Sequence, residues 1–354
     1  MRWFYLPNER HEGDQVGPRM AFEKLHADGV FSAYRAYSYL VERDRTGGFQ
    51  EAQDALIEAA REFAPDVIFS QHINHVYPVD RAFVQRLKAI PSRPKLVVHD
   101  GDPYNRYRKR IDPTLAATFA EADMVILVGL GTLADLALEA GAKTLRLVTH
   151  SYDARRFGAD WIPTTTRKWD AVMIANCMYY KRIPGLYLPG GRQRKQCAEE
   201  LYRVLGDRLA VYGGGQAWKG RPYARGNLPF DQQGAVVRDS WMSVNWHHFD
   251  EISMYSSDRL PISLACGVPH ITNWQEAYGH LFENIPGCFV VRSPREMRDV
   301  ALYLLSLPVE RRNELGHEAA AYARRHFEAT VVYGDLVDMI REHFFGAQGR
   351  PSPA

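Results

Sequence analysis

Apolar and polar positions along this chain follow two rhythms in turn. Short apolar runs alternate with stretches in which apolar residues recur every three or four positions. "RWFYL" (2–6) predicts a first strand. "GPRMAFEKLHADG" (17–29) predicts a helix opened by Gly17-Pro18 and stopped by Gly29. "EAQDALIEAAREFAP" (51–65) is an amphipathic helix leading into the strand "DVIFSQ" (66–71). The alternation continues with a helix at 81–90, "KLVVHD" (95–100), a helix at 114–122, "DMVILVG" (123–129), a helix at 133–141 and "TLRLVT" (144–149). Strands separated by helices predict a parallel sheet covered on both faces.

"SYDARRFGADWIPTTTRKW" (151–169) has turn residues, a Thr run and no period, and reads as a linker. A second series comes after it: strands at 170–176, 208–214, 242–247, 269–273 and 288–293, with helices at 194–206, 261–267, 294–307 and 309–327. "ATVVYGDLVDMIREHFF" (329–345) is a last helix. The expected fold class is α/β, with two Rossmann-like domains at 1–160 and 161–328 facing a cleft. A helix at 329–347 would cross back to the first domain, and a polar tail at 348–354 is expected to be disordered. Ligands of open α/β sheets bind beyond the carboxyl ends of the strands, so the loops there carry the candidate chemistry.

Composition narrows the classes. A length of 354 residues suits two domains. A net charge of +2 supplies no global field for nucleic acid. The four cysteines form no C-x-x-C pair, which argues against a zinc or redox motif and fits a reducing compartment. "MRWFYLPNERHEGD" turns polar too early for a signal peptide, and no apolar run reaches membrane-spanning length. A cytoplasmic protein is expected, with contact to a membrane surface left open.

"YSSDRLPISLACGVPHITNW" (255–274) has a polar start, a run of small and apolar residues, and a stop at Gly267. Ser257 and Asp258 are candidate caps of a short helix, whose amino end suits a phosphate. Arg259 adds a cation able to bind phosphate or carboxylate in a bidentate way. The alternative is a capped helix with a surface Arg-Asp pair. Further candidates are Lys181, Arg182, Arg192, Arg194 and Lys195 after the second domain's first strand, against the alternative of a solvated basic loop. Gly213, Gly214 and Gly215 come after a strand and allow close backbone approach to a ligand, or simply a turn. His99, Asp100 and Asp102 close the strand "KLVVHD", where an acid can orient or deprotonate a hydroxyl; Asp-Gly-Asp-Pro also favours a plain turn. His11, Glu12 and Asp14 lie on the loop after the first strand.

The order "AVMIAN…RLAVYGGGQAW…MSVNWHHFDEISMYSSDRLPISLACGVPHITNW…" resembles the C-terminal domain of GT-B glycosyltransferases, closest to the family-4-like group with spore-maturation-protein-like members. Val211, Tyr212, Gly213 and Trp218 match one motif. Ser257, Arg259, Ala265, Gly267, Pro269 and Thr272 match another, and Arg325-His326 the ending. "KLVVHDGDPYNRY" (95–107) and "EADMVILVGLGTLADLALEAGAKTLRLVTHSYDARRF" (121–157) resemble the N-domain of the same group, so the resemblance covers roughly residues 60 to 345. The first strand and the Gly17 loop fit as well. The resemblance implies sugar transfer from a nucleotide-diphosphate sugar to a hydroxyl of a glycan, lipid-linked or small-molecule acceptor. No cofactor or metal is implied. The diphosphate would be held by basic side chains and helix amino ends. By this resemblance Arg259, Ser257, Asp258, Asn273, Gly213, Gly17 and one of Lys181, Arg182 or Arg194 would hold the donor, and His99 with Asp100 or Asp102 would meet sugar and acceptor.

Two departures accompany the resemblance. "IPGLYLPGG" (183–191) looks inserted, and the usual pair of glutamates eight apart falls on Met254 and Ile262, which cannot accept a ribose hydrogen bond. A non-catalytic scaffold of the same fold is therefore the competing reading. A third is an NAD-dependent enzyme, from the G-x-G-x-x-A string "GLGTLA" (129–134), although no acid closes the next strand. His72 with His75 and His247-His248 with Asp250 lack helical metal-ligand spacing. "RYRKR" (106–110) reads as a solvated helix face, or as a contact to an anionic acceptor or membrane.

Overall fold

The computed structural model describes residues 1–158, 160–277, 282 and 284–346. The tail expected at 348–354 lies outside the described residues. The chain divides into two units, 1–149 with the helix after 328, and 150–328.

In the first unit the order is β1 (Arg2–Leu6), α1 (Val16–Ala27), β2 (Ala33–Ala36), α2 (Tyr39–Thr46), α3 (Phe49–Phe63), β3 (Val67–Gln71), α4 (Arg81–Lys88), β4 (Lys95–Asp100), α5 (Pro113–Glu121), β5 (Met124–Leu127), α6 (Thr132–Glu139) and β6 (Leu145–Leu147). The strands form one parallel sheet in the order β2-β1-β3-β4-β5-β6. Central strands buried on both faces read as continuous apolar runs, which is why β1, β3, β4 and β5 are legible. The edge strand β2, "AYRA", is only half-buried and has no apolar run; together with α2 it is absent from the sequence expectation.

The second unit opens earlier than expected. Residues 151–158 are not a free linker: α7 (Ala154–Phe157) is capped by Asp153, Phe157 is buried in this unit's core, and the Tyr152 amide donates to Phe327. Then come β7 (Trp169–Ile174), α8 (Gly191–Leu205), β8 (Leu209–Tyr212), β9 (Ala224–Gly226), α9 (Gln233–Arg238), β10 (Ser240–Val244), α10 (Arg259–Ala265), β11 (His270–Asn273), β12 (Cys288–Val291), α11 (Pro294–Ser306) and α12 (Val309–His326). The parallel order is β12-β11-β10-β7-β8-β9. The short β9 and α9 escape sequence reading.

The last helix, α13 (Ala329–Phe345), belongs to the first unit and packs along α1. Its Tyr333, Leu336, Val337 and Ile340 join Trp3, Phe22 and Phe69 in that core, where Trp3 stacks on Phe31 at 5.0 Å.

Candidate functional site

The second sheet reverses its strand order between β7 and β10. At such a point the two loops diverge and leave a crevice at the carboxyl ends. One side chain ties these loops together. Arg194, in the first turn of α8, donates from Nε to the Trp246 carbonyl at 2.7 Å and from Nη1 to the Asn176 carbonyl at 3.0 Å. The start of α8 presses onto the β10 loop: Gly190 has φ +71°, and a Cβ there would lie 2.3 Å from the His247 carbonyl. Arg194 is buried, and its pKa is pushed down to about 10, first by burial and then by the positive charge of Arg259. Among the described residues Arg194 has no carboxylate partner. Arg259 is ion-paired with Asp258 and reaches toward the Ile174 carbonyl. Of these two guanidinium groups only Arg259 has a carboxylate, Asp258, at the point where the crevice opens. The surplus positive charge, beside the amino end of a 15-residue helix, suits an anion with several acceptor oxygens.

The expected caps of α10 are not formed. Asp258 makes no cap bond with its side chain and turns to Arg259, while the Ser257 hydroxyl accepts from Asn245 Nδ2 at 3.0 Å. With only seven residues, α10 contributes less than Arg259 does. Asn273 is buried and engaged: Oδ1 accepts the His247 amide at 2.7 Å, and Nδ2 donates to Asp250 at 3.2 Å and the Trp274 carbonyl at 3.3 Å. It braces the β10 and β11 loops and does not present free donors to a nucleotide. His247 lies 3.0 Å from Thr272 Oγ1, and burial holds its pKa well below the ordinary value; burial and then Arg259 push His270 to about 3. Both rings are neutral, so the net positive charge stays with the arginines. Ile262 is buried in the core, as its apolar side chain requires.

The glycines after β8 have a packing reason. Gly213 and Gly215 have φ of +135° and +125°, and a Cβ on them would lie 2.3 Å from the Ala175 carbonyl and 2.1 Å from that of Cys177. Trp218 is buried, with its indole N–H on the Ala175 carbonyl at 2.8 Å. These residues hold the β7 loop that Arg194 grips. Gly215→Ala is expected to destabilise the chain by about 2 kcal/mol, because the backbone must leave a Gly-only conformation. Chemical denaturation of both proteins checks this; equal midpoints would remove the packing argument. Lys181 and Arg182 are exposed, on the tip of the loop between β7 and α8.

The first sheet reverses between β1 and β3. The loop after β1 closes around Glu9, which is buried and accepts from Arg19, from Ser38 and from the amides of Gly13 and Gln15. Burial alone would raise its pKa; the hydrogen bonds from Arg19, Ser38 and Gln15 outweigh it and hold the carboxyl ionised. Gly17 lies buried in the first turn of α1. His11, Glu12 and Asp14 lie in a turn closed by His11 and Asp14, with His11 and Glu12 exposed.

Parallel register pairs Gln71 with His99, which brings the next residues, His72 and Asp100, side by side. Asp100 is fully buried. Its Oδ1 lies 3.2 Å from His72 Nδ1 and accepts the Asp102 amide at 3.0 Å. Burial lowers the His72 pKa, but the bond and charge of Asp100 outweigh this and raise it. A partly exposed imidazole backed by a buried carboxylate is a base whose proton is stabilised once taken. Sequence reading weighs His72, with His75, as a metal ligand and prefers a cleft-lining or packing role, without pairing it to Asp100; the strand register is the signal for this pair.

The other expected groups are occupied. His99 is mostly buried, its ring 6.2 Å from Phe69 and 6.1 Å from Tyr333. Asp102 pairs with Lys109 at 3.0 Å. "RYRKR" is not helical: Asn105 accepts the amides of Tyr107, Arg108 and Lys109 in a turn, and Arg106 pairs with Glu139. "GLGTLA" comes after β5, two strands from β3 at the reversal, which separates it from a dinucleotide crevice. No group of three or more potential metal ligands occurs among the described residues, and no helix there is long and apolar enough to cross a membrane.

Comparison with known proteins bears on this geometry. Residues 192–337 match the family described as glycosyl transferase-like. Among solved structures, HepE of Anabaena in complex with UDP and glucose superposes with a TM-score of 0.59 at 11% identity, covering 97% of this chain and 100% of its own. A glycosyltransferase from Rickettsia africae gives 0.59 at 10% identity, covering 98% of each chain. Sucrose-phosphate synthase of Thermosynechococcus elongatus gives 0.60 at 12%, covering 98% and 100%. No curated protein matches by sequence. The family match is broader than the family-4-like group and does not single that group out.

Proposed function

We propose that this chain, a glycosyltransferase of the GT-B fold whose residues 192–337 match the glycosyl transferase-like family, moves a sugar from a UDP-sugar to an acceptor hydroxyl without a metal ion. The observation that carries the reading is the pair Arg194 and Arg259, of which only Arg259 has a carboxylate partner, at the strand reversal of the second sheet. The UDP in the HepE structures supports uridine as the base.

In the reaction the bond between the anomeric carbon and the β-phosphate oxygen breaks, and a bond to the acceptor oxygen forms. The departing UDP gains negative charge, which the two guanidinium groups and the amino end of α8 stabilise where a metal would otherwise do so. The acceptor proton passes to Nε2 of His72, and Asp100 holds the imidazolium. Asp100 is then a positioning residue acting through His72. His99 and Asp102, the candidates that stand out in the sequence, keep a packing and a loop-closing role.

A thermal-shift series with UDP, GDP, ADP, dTDP and NAD, each with and without magnesium, tests the donor. A ligand that binds only the folded protein raises its melting temperature; at a hundred times Kd this amounts to about 2.7 kcal/mol. UDP is expected to shift the melt equally with magnesium and with chelator. A shift with NAD alone would overturn the reading. A UDP shift that appears only with magnesium would remove its metal-free part. A UDP shift without transfer or hydrolysis of any UDP-sugar would favour the non-catalytic scaffold.

A further inference from the structure

The loop between β7 and α8 carries exposed apolar side chains on the second unit's surface. It is a closed hairpin: Tyr179 and Tyr187 bridge its base with rings 5.0 Å apart, Leu188 donates to Met178 at 2.9 Å, and Tyr180 donates to Leu186 at 2.6 Å. Both tyrosines pack on the unit's core. The hairpin leaves apolar side chains exposed, Ile183 and Leu186 toward its tip and Met178 at its base. Ile183 is 50% exposed, Met178 42% and Leu186 38%. Lys181 and Arg182 beside them have φ of +48° and +62°, a left-handed conformation that side chains adopt only when the surroundings impose it. The exposure is therefore a property of an ordered turn.

The charge along this segment has one sign. Residues 171–198 contain no Asp or Glu but include Lys181, Arg182, Arg192, Arg194 and Lys195. Arg194 is buried and Lys195 pairs with Glu199. Lys181, Arg182 and Arg192 are exposed and make no ion pair among the described residues. In the other basic cluster, at 106–110, Arg106 and Lys109 are each neutralised by a carboxylate.

We propose that this tip docks the protein on an anionic phospholipid surface, with Ile183, Leu186 and Met178 entering the headgroup boundary and Lys181, Arg182 and Arg192 meeting lipid phosphates. A protein partner fits the geometry less well: a stable protein interface buries about 1,200–2,000 Å² in total, far more than three side chains on a narrow turn offer. A bilayer accepts isolated apolar side chains, and each nearby cation adds about fivefold to the partition. Apolar insertion and basic attraction together give reversible binding that neither provides alone.

Co-sedimentation of the full chain with phosphatidylglycerol vesicles and with pure phosphatidylcholine vesicles tests this. The protein is expected to sediment with the first and not the second, and to be released by high salt. Ile183→Asp with Leu186→Asp should cut the partition at least tenfold while leaving the melting temperature and UDP binding unchanged. Lys181→Glu with Arg182→Glu should abolish the preference for anionic lipid. Failure of the unaltered protein to sediment overturns the proposal, as does equal sedimentation of the Asp variant. Loss of UDP binding in a folded Asp variant would assign the tip to substrate and overturn it too. Sedimentation needs no nucleotide, so this result is independent of the donor reading.

Discussion

Arg259→Ala is expected to weaken UDP binding about a hundredfold while shifting the thermal unfolding curve little. Removing a charge-assisted hydrogen bond to a phosphate costs about 1.5–3 kcal/mol, and a hundredfold change corresponds to about 2.7. Stability should survive because Arg259 is about 30% exposed and its strongest link is to its neighbour Asp258, not to a distant element. Arg259 holds the Asp258 pKa down against burial, so in the variant the Asp258 carboxyl protonates at a higher pH than before. Arg194→Ala should behave differently. It strips the Trp246 and Asn176 carbonyls of their donor and unties the two loops at the reversal, so it lowers stability and affinity together. Calorimetric titration with UDP, alongside denaturant melts, separates the two. Unchanged UDP affinity in Arg259→Ala would take that residue out of the donor site.

The contrast between the two arginines also shows where sequence reading ends. Ser-Asp-Arg before a short apolar run draws attention to Arg259, and that residue does face the reversal of the sheet. Its neighbours escape local reading for a geometric reason. Ser257 turns to Asn245, a partner twelve residues away that no local pattern reveals. Arg194 is one of five basic residues, and nothing in "GRQRKQ" says that it is buried across two loops while Lys181 and Arg182 stand in solvent. The central strands are legible because burial on both faces writes an apolar run; β2 and β9 are not, because an edge strand is half solvated. His99 stands out by position, yet the alternation that places Val97 toward α13 places His99 there also. The same alternation turns Asp100 to the opposite face, and the ladder sets His72 beside it.

That pair yields the largest expected effect on turnover. Asp100→Asn should lower the transfer rate about a thousandfold at neutral pH and leave UDP binding intact, within the range lost when a general base is impaired. The amide keeps the shape of the carboxylate and can still accept the Asp102 amide, so the local turn persists. What it loses is the negative charge that raises the His72 pKa against burial. A base works only when deprotonated. In the unaltered enzyme, activity should therefore rise with pH through the raised His72 pKa; in Asp100→Asn this limb should move to lower pH while the plateau falls. Stability runs in the opposite direction with pH. A group whose folded pKa is raised stabilises most fully below its unfolded value, about 6.5 for His, and that contribution disappears as pH rises through the folded pKa. The stability gap between the two proteins should accordingly be widest in mild acid and narrow toward alkaline pH. His72→Gln should remove the limb altogether. A rate profile that keeps its position in Asp100→Asn, or a His72→Gln enzyme with full turnover, would show that the pair shapes the strand ends without taking the acceptor proton.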